Sequence, residues 1–441
     1  MKDGFDMVIA NPPYVRHESI KALKPQLSKE FGNFFCGTAD IYTYFYKKGI
    51  DLLKFGGHLC FIAPNKFMRS GYGKNTRRLL AMEVTPKVII DFCDLPIFDA
   101  TTYPSIILIE KRPADNNAGI LAATFTDTAH LECLQDTLSD IGFSIPVSAL
   151  KEEGWNLERP EVLALMEKLR KAGTPLGEYV QGRFYYGIKT GFNEAFVIDE
   201  VTRERLIGED PKSAEIIKPW LRGRDIKKWC AEWAGLYLIT IASSANKKWP
   251  WSGSTKANPE AIFARTFPAI YGHLLQYKDA LIKRDDQGEF WWELRSCAYY
   301  AEFERPKIVY PNITKTNIFC YEETKLYTNQ KCFIIPTDDK YLLAVLNSSL
   351  IMHWFKTTLP LLLGEFYEPS SIFMKDLPVF PAIEKQKAPI TERVEIILKN
   401  PLRPDVPKLE SEIDELVFEL YGLSEEERNI ILGSSRKSKI L

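Results

Sequence analysis

No apolar run in the 441-residue chain is long enough to cross a bilayer. The longest, such as residues 88–92 and 359–364, hold five or six residues, where a spanning helix needs roughly 20. Met1 is followed by Lys, Asp and Gly, without a secretory apolar region. The eight cysteines are scattered and no Cys-x-x-Cys occurs. They read as reduced packing residues of a cytoplasmic protein, which sets aside a disulfide frame or a zinc site. The five histidines lie far apart in sequence, so no metal site is expected. An excess of either charge is also lacking, the net charge being −1. A nucleic-acid partner would therefore have to be met by basic residues concentrated on one face. The run KPWLRGRDIKKW at 218–229 is such a concentration, although taken alone it is most simply a solvated surface.

What is present has two textures. Over residues 1–115 short apolar runs alternate with helical periodicity. Strands are predicted at 7–10, 58–64, 87–92 and 105–111, with a helix from Asp40 to Lys54 and another around 74–83. In the first helix Tyr42, Phe45, Tyr46, Ile50 and Leu53 share a face, Asp40 is placed to cap the start, and Phe55-Gly56-Gly57 to end it. This is the grammar of helices packed on a sheet. Residues 116–174 are less regular and read as a connection with a helix at 159–172. From 175 to 384 aromatics become dense and short β-type runs alternate with Gly, Pro and Asn, as in 194–199, 235–241, 307–313 and 331–336. One helix is predicted at 340–355. The tail, 385–441, is charged and helical, with Leu409, Ile413, Leu416, Val417 and Leu420 at helical spacing before Gly422.

The stretch FDMVIANPPYVRHE at 5–18 carries chemistry. A strand that ends in Pro-Pro cannot continue its ladder, because neither proline has an N–H to donate. The Pro12 carbonyl and the Asn11 side-chain oxygen then form two acceptors on one rigid corner, and Tyr14 adds a flat face. In open α/β sheets the carboxyl ends of strands are where ligands bind. Two acceptors match the two hydrogens of an exocyclic amino group. Holding both would favour a pyramidal nitrogen as it attacks a methyl group, which stabilises the transition state with fixed dipoles. The base must first leave the duplex, and stacking on an aromatic offsets part of that cost. The bare tetrapeptide reads equally as a turn after a strand.

FDMVIANPPYVR resembles motif IV of the N6-adenine DNA methyltransferases that use Asn-Pro-Pro-Tyr. Residues 39–68 resemble the family's motifs V and VI, and LPIFDATTYPSIILIEK at 95–111 its motif VIII, in which Phe98 matches the aromatic that packs the flipped adenine. YYGIKTGFNEAFVID at 185–199, 216–229, LNSSL at 346–350, DLPVFP at 376–381 and 412–427 resemble a TaqI-type target-recognition domain and its tail. The resemblance implies an α/β layer equivalent to the C-terminal half of a Rossmann-like methyltransferase sheet. A mixed α+β recognition domain at 175–384 and a helical tail would follow. It implies a restriction–modification or phage-defence enzyme that transfers a methyl group from S-adenosylmethionine to adenine N6 in double-stranded DNA. Asn11, Pro12, Pro13 and Tyr14 would be catalytic, and Tyr14 and Phe98 would stack on the base. Lys189, Thr190, Arg222, Arg224 and Lys228 are candidates for DNA contact, their division between bases and phosphates not being readable here.

One part of the pattern is lacking. In the family a Gly-rich turn and an acidic residue that hold S-adenosylmethionine normally precede motif IV, and here ten residues do. The sole Gly-x-Gly, Gly71-Tyr72-Gly73, reads as a plain loop. The expectation is a chain without the N-terminal cofactor half, whose cofactor-binding residues are unknown. A separate N-terminal fragment or a second copy of the chain would cover the strand at 5–10. The alternative reading is a non-catalytic DNA-specificity module with a residual methyltransferase layer. A nuclease reading finds Glu323-Thr324-Lys325 but no upstream carboxylate partner. A cytosine-C5 enzyme would need a nucleophilic Cys, typically after Pro, and no Pro-Cys occurs. Cytosine-N4 chemistry uses the same kind of corner and stays open.

Overall fold

The computed structural model describes residues 4–93, 95–98, 102–113, 118–125, 127–253, 258–359, 361–362 and 366–436. Residues 99–101 of the 95–111 motif, residues 360, 363 and 364 of the 359–364 run and the last five residues of the tail lie outside the described residues. The chain divides into two compact units, Met1–Ala164 and Leu165–Leu441.

In the first unit, six strands form one sheet: β1 (Phe5–Ala10), β2 (Leu53–Pro64), β3 (Thr85–Asp91), β4 (Pro104–Glu110), β5 (Gly119–Thr124) and β6 (Phe143–Pro146). Their order is β1-β2-β4-β3-β5-β6. β1 pairs with β2 and β3 with β5 in parallel, whereas β4 runs antiparallel between β2 and β3. The carboxyl ends of β1, β2, β3 and β5 therefore share one edge. Helices α1 (Lys24–Phe31), α2 (Ile41–Leu52), α3 (Lys74–Arg78), α4 (Leu134–Ile141) and α5 (Pro160–Ala172) complete the elements, and α3 runs on into a π-helical turn over Leu79–Glu83. The two-unit division falls inside α5.

The predicted strands appear close to where their apolar runs lie, with three differences. Residues 116–174 are not only a connection, since β5 and β6 extend the sheet. Gly56 and Gly57 do not end α2. They lie within β2, at the register shift opposite Phe5 and Met7, where a Cβ on Gly57 would sit 2.8 Å from the Phe5 carbonyl oxygen. Phe45 points away from the core, which takes Tyr42, Tyr46, Ile50 and Leu53 instead. These pack on Leu59, Phe61, Ile89 and Ile107 from one face of the sheet. Gly49 lets α2 lie this close, because a Cβ there would be 2.6 Å from Leu59 Cδ1. The opposite face is covered at β3 and β5, around Ile90, Phe92, Ala123 and Phe125. At the outer strand β1 that face is open, with Phe5 43%, Met7 55% and Ile9 70% exposed.

The second unit begins with β7 (Thr174–Pro175), α6 (Leu176–Tyr179), β8 (Tyr185–Tyr186), α7 (Asn193–Phe196), β9 (Val197–Asp199) and α8 (Glu200–Glu209). It continues through β10 (Ile217–Leu221), β11 (Leu236–Ile239), α9 (Pro259–Thr266), α10 (Pro268–Leu275), α11 (Lys278–Lys283), β12 (Lys307–Pro311), β13 (Cys320–Glu322), β14 (Tyr327–Thr328) and β15 (Cys332–Pro336). Two four-stranded sheets result, β14-β10-β11-β9 and β13-β12-β15-β8. An aromatic core that includes Trp251, Phe263 and Trp292 packs with them. Helical content here exceeds the sequence expectation, and 194–199 opens as the turn α7 before it becomes β9.

The helix expected over 340–355 is two, α12 (Lys340–Asn347) and α13 (Ser349–Thr358), broken at Ser348 with ψ near 159°. Side chains compete with the helix backbone at this point. Asn347 exchanges two hydrogen bonds with the Phe319 backbone, and the Asp414 carboxylate accepts from Ser349 N–H at 2.8 Å. The short pair β16 (Leu361–Leu362) and β17 (Phe366–Tyr367), α14 (Ser371–Met374) and β18 (Pro378–Val379) lead to the tail helices α15 (Glu384–Lys399), α16 (Val406–Leu420) and α17 (Glu425–Arg436). Gly422 ends α16 at φ +59°, a left-handed stop. Among the described residues no helix is long and apolar enough to cross a membrane.

The packing of α2 yields a prediction. Gly49→Leu should destabilise the first unit by about 1–3 kcal/mol through overpacking against Leu59 and Phe61, read as a lower denaturant midpoint. An unchanged midpoint would mean that α2 does not seat against β2 at Gly49.

Candidate functional site

The Asn11–Tyr14 corner stands at the carboxyl edge of the first sheet, directly after β1. Pro12 is buried, Asn11 and Pro13 are exposed, and Tyr14 is half-buried. The Tyr14 hydroxyl donates to the Ile62 carbonyl of β2 at 3.3 Å. Its ring meets Phe98 edge to face, with centroids 5.9 Å apart and planes at 79°. Two residues 84 positions apart in sequence, both expected at the base-binding wall, are thus in contact. Burial pushes the Tyr14 phenol up to about 12, so at neutral pH it is an un-ionised donor and an aromatic surface.

The chain leaving the corner is fastened to α2. The Val15 carbonyl accepts from Ile41 N–H at 3.1 Å, and the Asp40 carboxylate accepts from His17 N–H at 3.0 Å and from the Tyr72 hydroxyl at 3.3 Å. Asp40 holds the helix N-cap position, but its carboxylate makes no cap hydrogen bond. It serves the corner segment instead, which is a correction to its expected role. Gly71-Tyr72-Gly73 is not an open loop either. It is a 3₁₀ turn whose Gly73 lies so close to the Phe67 backbone that a Cβ would meet the carbonyl oxygen at 2.0 Å. As a packed turn, it offers no cradle for a cofactor.

Two further residues at this edge were not singled out from sequence. The Asn65 side-chain amide at the end of β2 donates to the Asp91 carboxylate at the end of β3, at 2.7 Å, and Cys93 N–H donates to the same oxygen at 3.0 Å. Asp91 is 5% exposed, and burial raises its pKa, opposed by these two hydrogen bonds. The available signals were Asn65 straight after the Pro64 strand stop and an Asp inside the apolar run 88–92. Among the described residues no group of three or more His, Cys, Asp or Glu side chains could hold a metal ion.

In the second unit several loops meet. Ile188 N–H donates to the Thr328 carbonyl at 2.7 Å, and Asn329 N–H to the Leu221 carbonyl at 3.0 Å. A Cβ on Gly223 would lie 3.2 Å from the Lys331 carbonyl oxygen. Segments 187–190, 221–224 and 328–331 therefore adjoin, which brings Lys189, Arg222 and Arg224 into one neighbourhood and adds the exposed Lys331. Lys189 pairs with Asp286 at 2.6 Å. Arg222 forms a two-pronged pair with Asp225, both contacts at 2.8 Å, which raises its own pKa. Arg224 is exposed.

The other two candidates sit differently. Thr190 is 4% exposed, and its hydroxyl donates to Asn193 at 2.6 Å, so this side chain supports the loop and does not face solvent. Lys228 is tied to α16 through Glu410 at 2.8 Å, and that carboxylate also accepts from the Trp229 indole at 2.6 Å. The Lys189–Thr190 loop is braced from below. The Arg284 guanidinium, 8% exposed, donates to the Thr190, Trp291 and Glu293 carbonyls. Burial brings its pKa down to about 10.

Comparison with known proteins agrees with this division. Residues 1–98 match the family model of the Eco57I restriction-modification methylase, and residues 218–379 that of the TaqI-like C-terminal specificity domain. The chain is 26% identical to the Type II methyltransferase M.PaeR7I of Pseudomonas aeruginosa over 98% of its own length and 73% of that protein's. It is 25% identical to the Type II methyltransferase M.XhoI of Xanthomonas vasicola over 97% of its length and 76% of that protein's. Among solved structures it resembles the type IIL restriction–modification enzyme MmeI in complex with DNA, with a TM-score of 0.61 at 13% identity. That match covers 99% of this chain and 57% of MmeI, and it shows a common fold.

The Asp91 geometry gives a prediction. The raised pKa means that ionising this buried carboxyl costs stability, so wild type should lose stability relative to Asp91→Asn as pH rises through the Asp91 titration. Asp91→Asn keeps an oxygen for both donors and should be at least as stable as wild type at pH 7. Asp91→Ala removes that acceptor and should cost about 1–3 kcal/mol. Denaturant melts of the three proteins at pH 4–8 would check this; equal stability of the Asn and Ala variants would refute the assigned role.

The chain thus joins an Eco57I-type methylase segment to a TaqI-like specificity domain, and its homologues are Type II methyltransferases of restriction–modification systems.

Proposed function

We propose that this chain supplies the target-base pocket and the sequence-reading surface of an adenine-N6 DNA methyltransferase. The observation that carries the proposal is the Asn-Pro-Pro-Tyr corner at the carboxyl edge of the sheet, with Tyr14 set against Phe98. On this reading Asn11 Oδ1 and the Pro12 carbonyl oxygen accept the two hydrogens of the adenine amino group, and Pro13 fixes the corner. Tyr14 and Phe98 form the apolar wall for a base taken out of the duplex, in the way that enzymes acting on bases expose them. The amino lone pair, delocalised into the ring in the ground state, localises as the nitrogen attacks. Two fixed acceptors stabilise that change without reorganising. S-adenosylmethionine supplies the methyl group when bound. In the second unit, Lys189, Arg222, Arg224 and Lys228 are the proposed DNA contacts, with Thr190 shaping their loop, and Lys331 joins them.

Gly71-Tyr72-Gly73, the Gly-x-Gly among the described residues, is a packed turn and offers no glycine cradle for S-adenosylmethionine. Outer strand β1 exposes Phe5, Met7 and Ile9 beside an unpaired edge, a combination that invites strand pairing. We propose that further polypeptide lying against this edge provides the cofactor residues.

Two measurements test this reading. Calorimetry should detect no S-adenosylmethionine binding to this chain alone, with or without duplex DNA. Clear binding would place a cofactor site within these residues and overturn the proposal of a supplied half. In the assembled enzyme, Asn11→Ala should lower methylation by about 100-fold or more, as loss of one charge-stabilising group does, while duplex binding persists. Mass spectrometry of the product nucleosides identifies the methylated atom, and N4-methylcytosine in place of N6-methyladenine would refute the adenine assignment.

A further inference from the structure

Three of the basic residues placed on the reading surface each carry their own carboxylate. Lys189 Nζ lies 2.6 Å from Asp286, Arg222 is held two-pronged by Asp225 at 2.8 Å, and Lys228 Nζ lies 2.8 Å from Glu410. The acids come from separate places: the loop after α11, the turn after β10, and the tail helix α16. Asp225 is a fixture of its own turn, since it also accepts from Arg222 N–H. Asp286 and Glu410 lie outside the turns of their lysines, although Asp286 also pairs with the exposed Arg295 at 3.4 Å and Glu410 also accepts from the Trp229 indole. Their cations are partly open to water, with 45% of the Lys189 and 34% of the Lys228 side chain exposed. Ion pairs with a partly exposed cation contribute little net stability, so the pairing of each acid with its lysine adds little to folding beyond the Glu410–Trp229 hydrogen bond. A phosphate arriving at either lysine would compete with its acid for the same ammonium group.

From this arrangement, and resting on the DNA-reading role proposed above, we infer that Asp286 and Glu410 are specificity-determining masks. They neutralise Lys189 and Lys228 until a correctly docked duplex exchanges a phosphate for the carboxylate. Non-specific affinity grows with the number of cations that displace counterions from phosphates. A cation already neutralised by its own chain adds little to that affinity. The ratio of specific to non-specific binding, which governs target search, rises accordingly. The chain's net charge of −1 fits a surface balanced in this way. Three residues would thereby bind sites without binding all DNA: two masked lysines, and Arg222 locked in place by Asp225.

The test uses the full chain and a 30-base-pair duplex of random sequence, with affinity read by fluorescence anisotropy across a series of KCl concentrations. Asp286→Asn and Glu410→Gln keep size, and Gln keeps an oxygen for the Trp229 indole. Each should tighten random-duplex binding by about three- to tenfold at 0.1 M salt and steepen the log–log salt slope by about 0.9. The gain from Asp286→Asn should vanish in the Lys189→Ala background, and that from Glu410→Gln in the Lys228→Ala background. Glu384→Gln, which removes the same charge from a highly exposed carboxylate on α15, should change neither quantity. Weaker binding in Asp286→Asn or Glu410→Gln would make these acids positioning partners and overturn the mask. An equal gain from Glu384→Gln would reduce the effect to net charge and overturn it too. If neither wild type nor any variant binds duplex DNA at low salt, the DNA-reading role itself fails, and the mask with it.

Discussion

The parallel pairing of β1 with β2 is the constraint on which the candidate site depends. It fixes Ala10 beside Phe61 and sets the ends of both strands on one edge. Were the pairing antiparallel, Asn11–Tyr14 would emerge at the far edge from Asn65, Asp91 and Phe98. Parallel strands need a crossover connection, and the chain begins that crossover with the corner itself. Pro-Pro halts the ladder, and Val15 and His17 then attach to Ile41 and Asp40 at the start of α2. A corner tied on both sides in this way can present backbone and side-chain oxygens at fixed positions, which dipolar stabilisation of a transition state requires.

The sequence made this corner legible because proline acts locally. Missing N–H groups end a strand whatever surrounds it. The apolar runs of β2, β3 and β4 were readable for a similar reason, as each alternates or clusters strongly enough to declare itself. Strand order was not readable, because the insertion of β4 between β2 and β3 depends on partners far away in sequence. β5 was not legible because Gly119 and the Ala122-Ala123 pair, half of Gly119–Thr124, have weak strand preference. Ala122 and Ala123 are nonetheless fully buried, one on each face of the sheet. The break at Ser348 also needed tertiary information, since Asn347 acts on Phe319 and Asp414 on Ser349. Of the site, Asn11–Tyr14 and Phe98 could be named in advance. The Asp40 and Asn65–Asp91 contacts could not, because each is a hydrogen bond that the topology creates.

In the second unit, polar groups inside the core hold loops that lie between the regular elements. The Glu293 carboxylate is fully buried and accepts from the Ser244 and Glu289 amides and from the Trp251 indole. Arg284 spends its donors on three carbonyls and lies over the Phe196 ring at 4.6 Å. Such groups are expensive to bury, and they return that cost as a defined arrangement only when their partners are in place. Here the partners are the backbones of 190 and 291–293. The loop carrying Lys189 is therefore held by hydrogen bonds to its main chain and by the buried Thr190 hydroxyl, which leaves the exposed Lys189 side chain free of that task. The DNA-reading role proposed for this surface would benefit from this separation. Loop position is set underneath by buried residues, and on the proposed reading the exposed side chains would set what is read.

The chemistry proposed for the corner asks for acceptors and not for a strong base, and the local electrostatics fit that demand. Carbonyl oxygens do not titrate. The Tyr14 phenol stays protonated far above neutral pH, and the two nearby carboxylates, Asp40 and Asp91, are committed to holding loops. Proton loss from the amino group becomes easy only after the nitrogen has gained its methyl group and positive charge, when water suffices. A corner of this kind grips any exocyclic amino group, on a purine or a pyrimidine. The choice between them then falls to the walls. Tyr14 and Phe98 meet edge to face, so the space between corner and wall depends on two rings from distant parts of the chain. Phe98 lies outside the strands among the described residues between β3 and β4, whereas Tyr14 is pinned to β2 through Ile62. Discrimination between bases would accordingly rest on the spacing that these two rings set, and the methyl-accepting geometry on the Asn11–Pro12 acceptors.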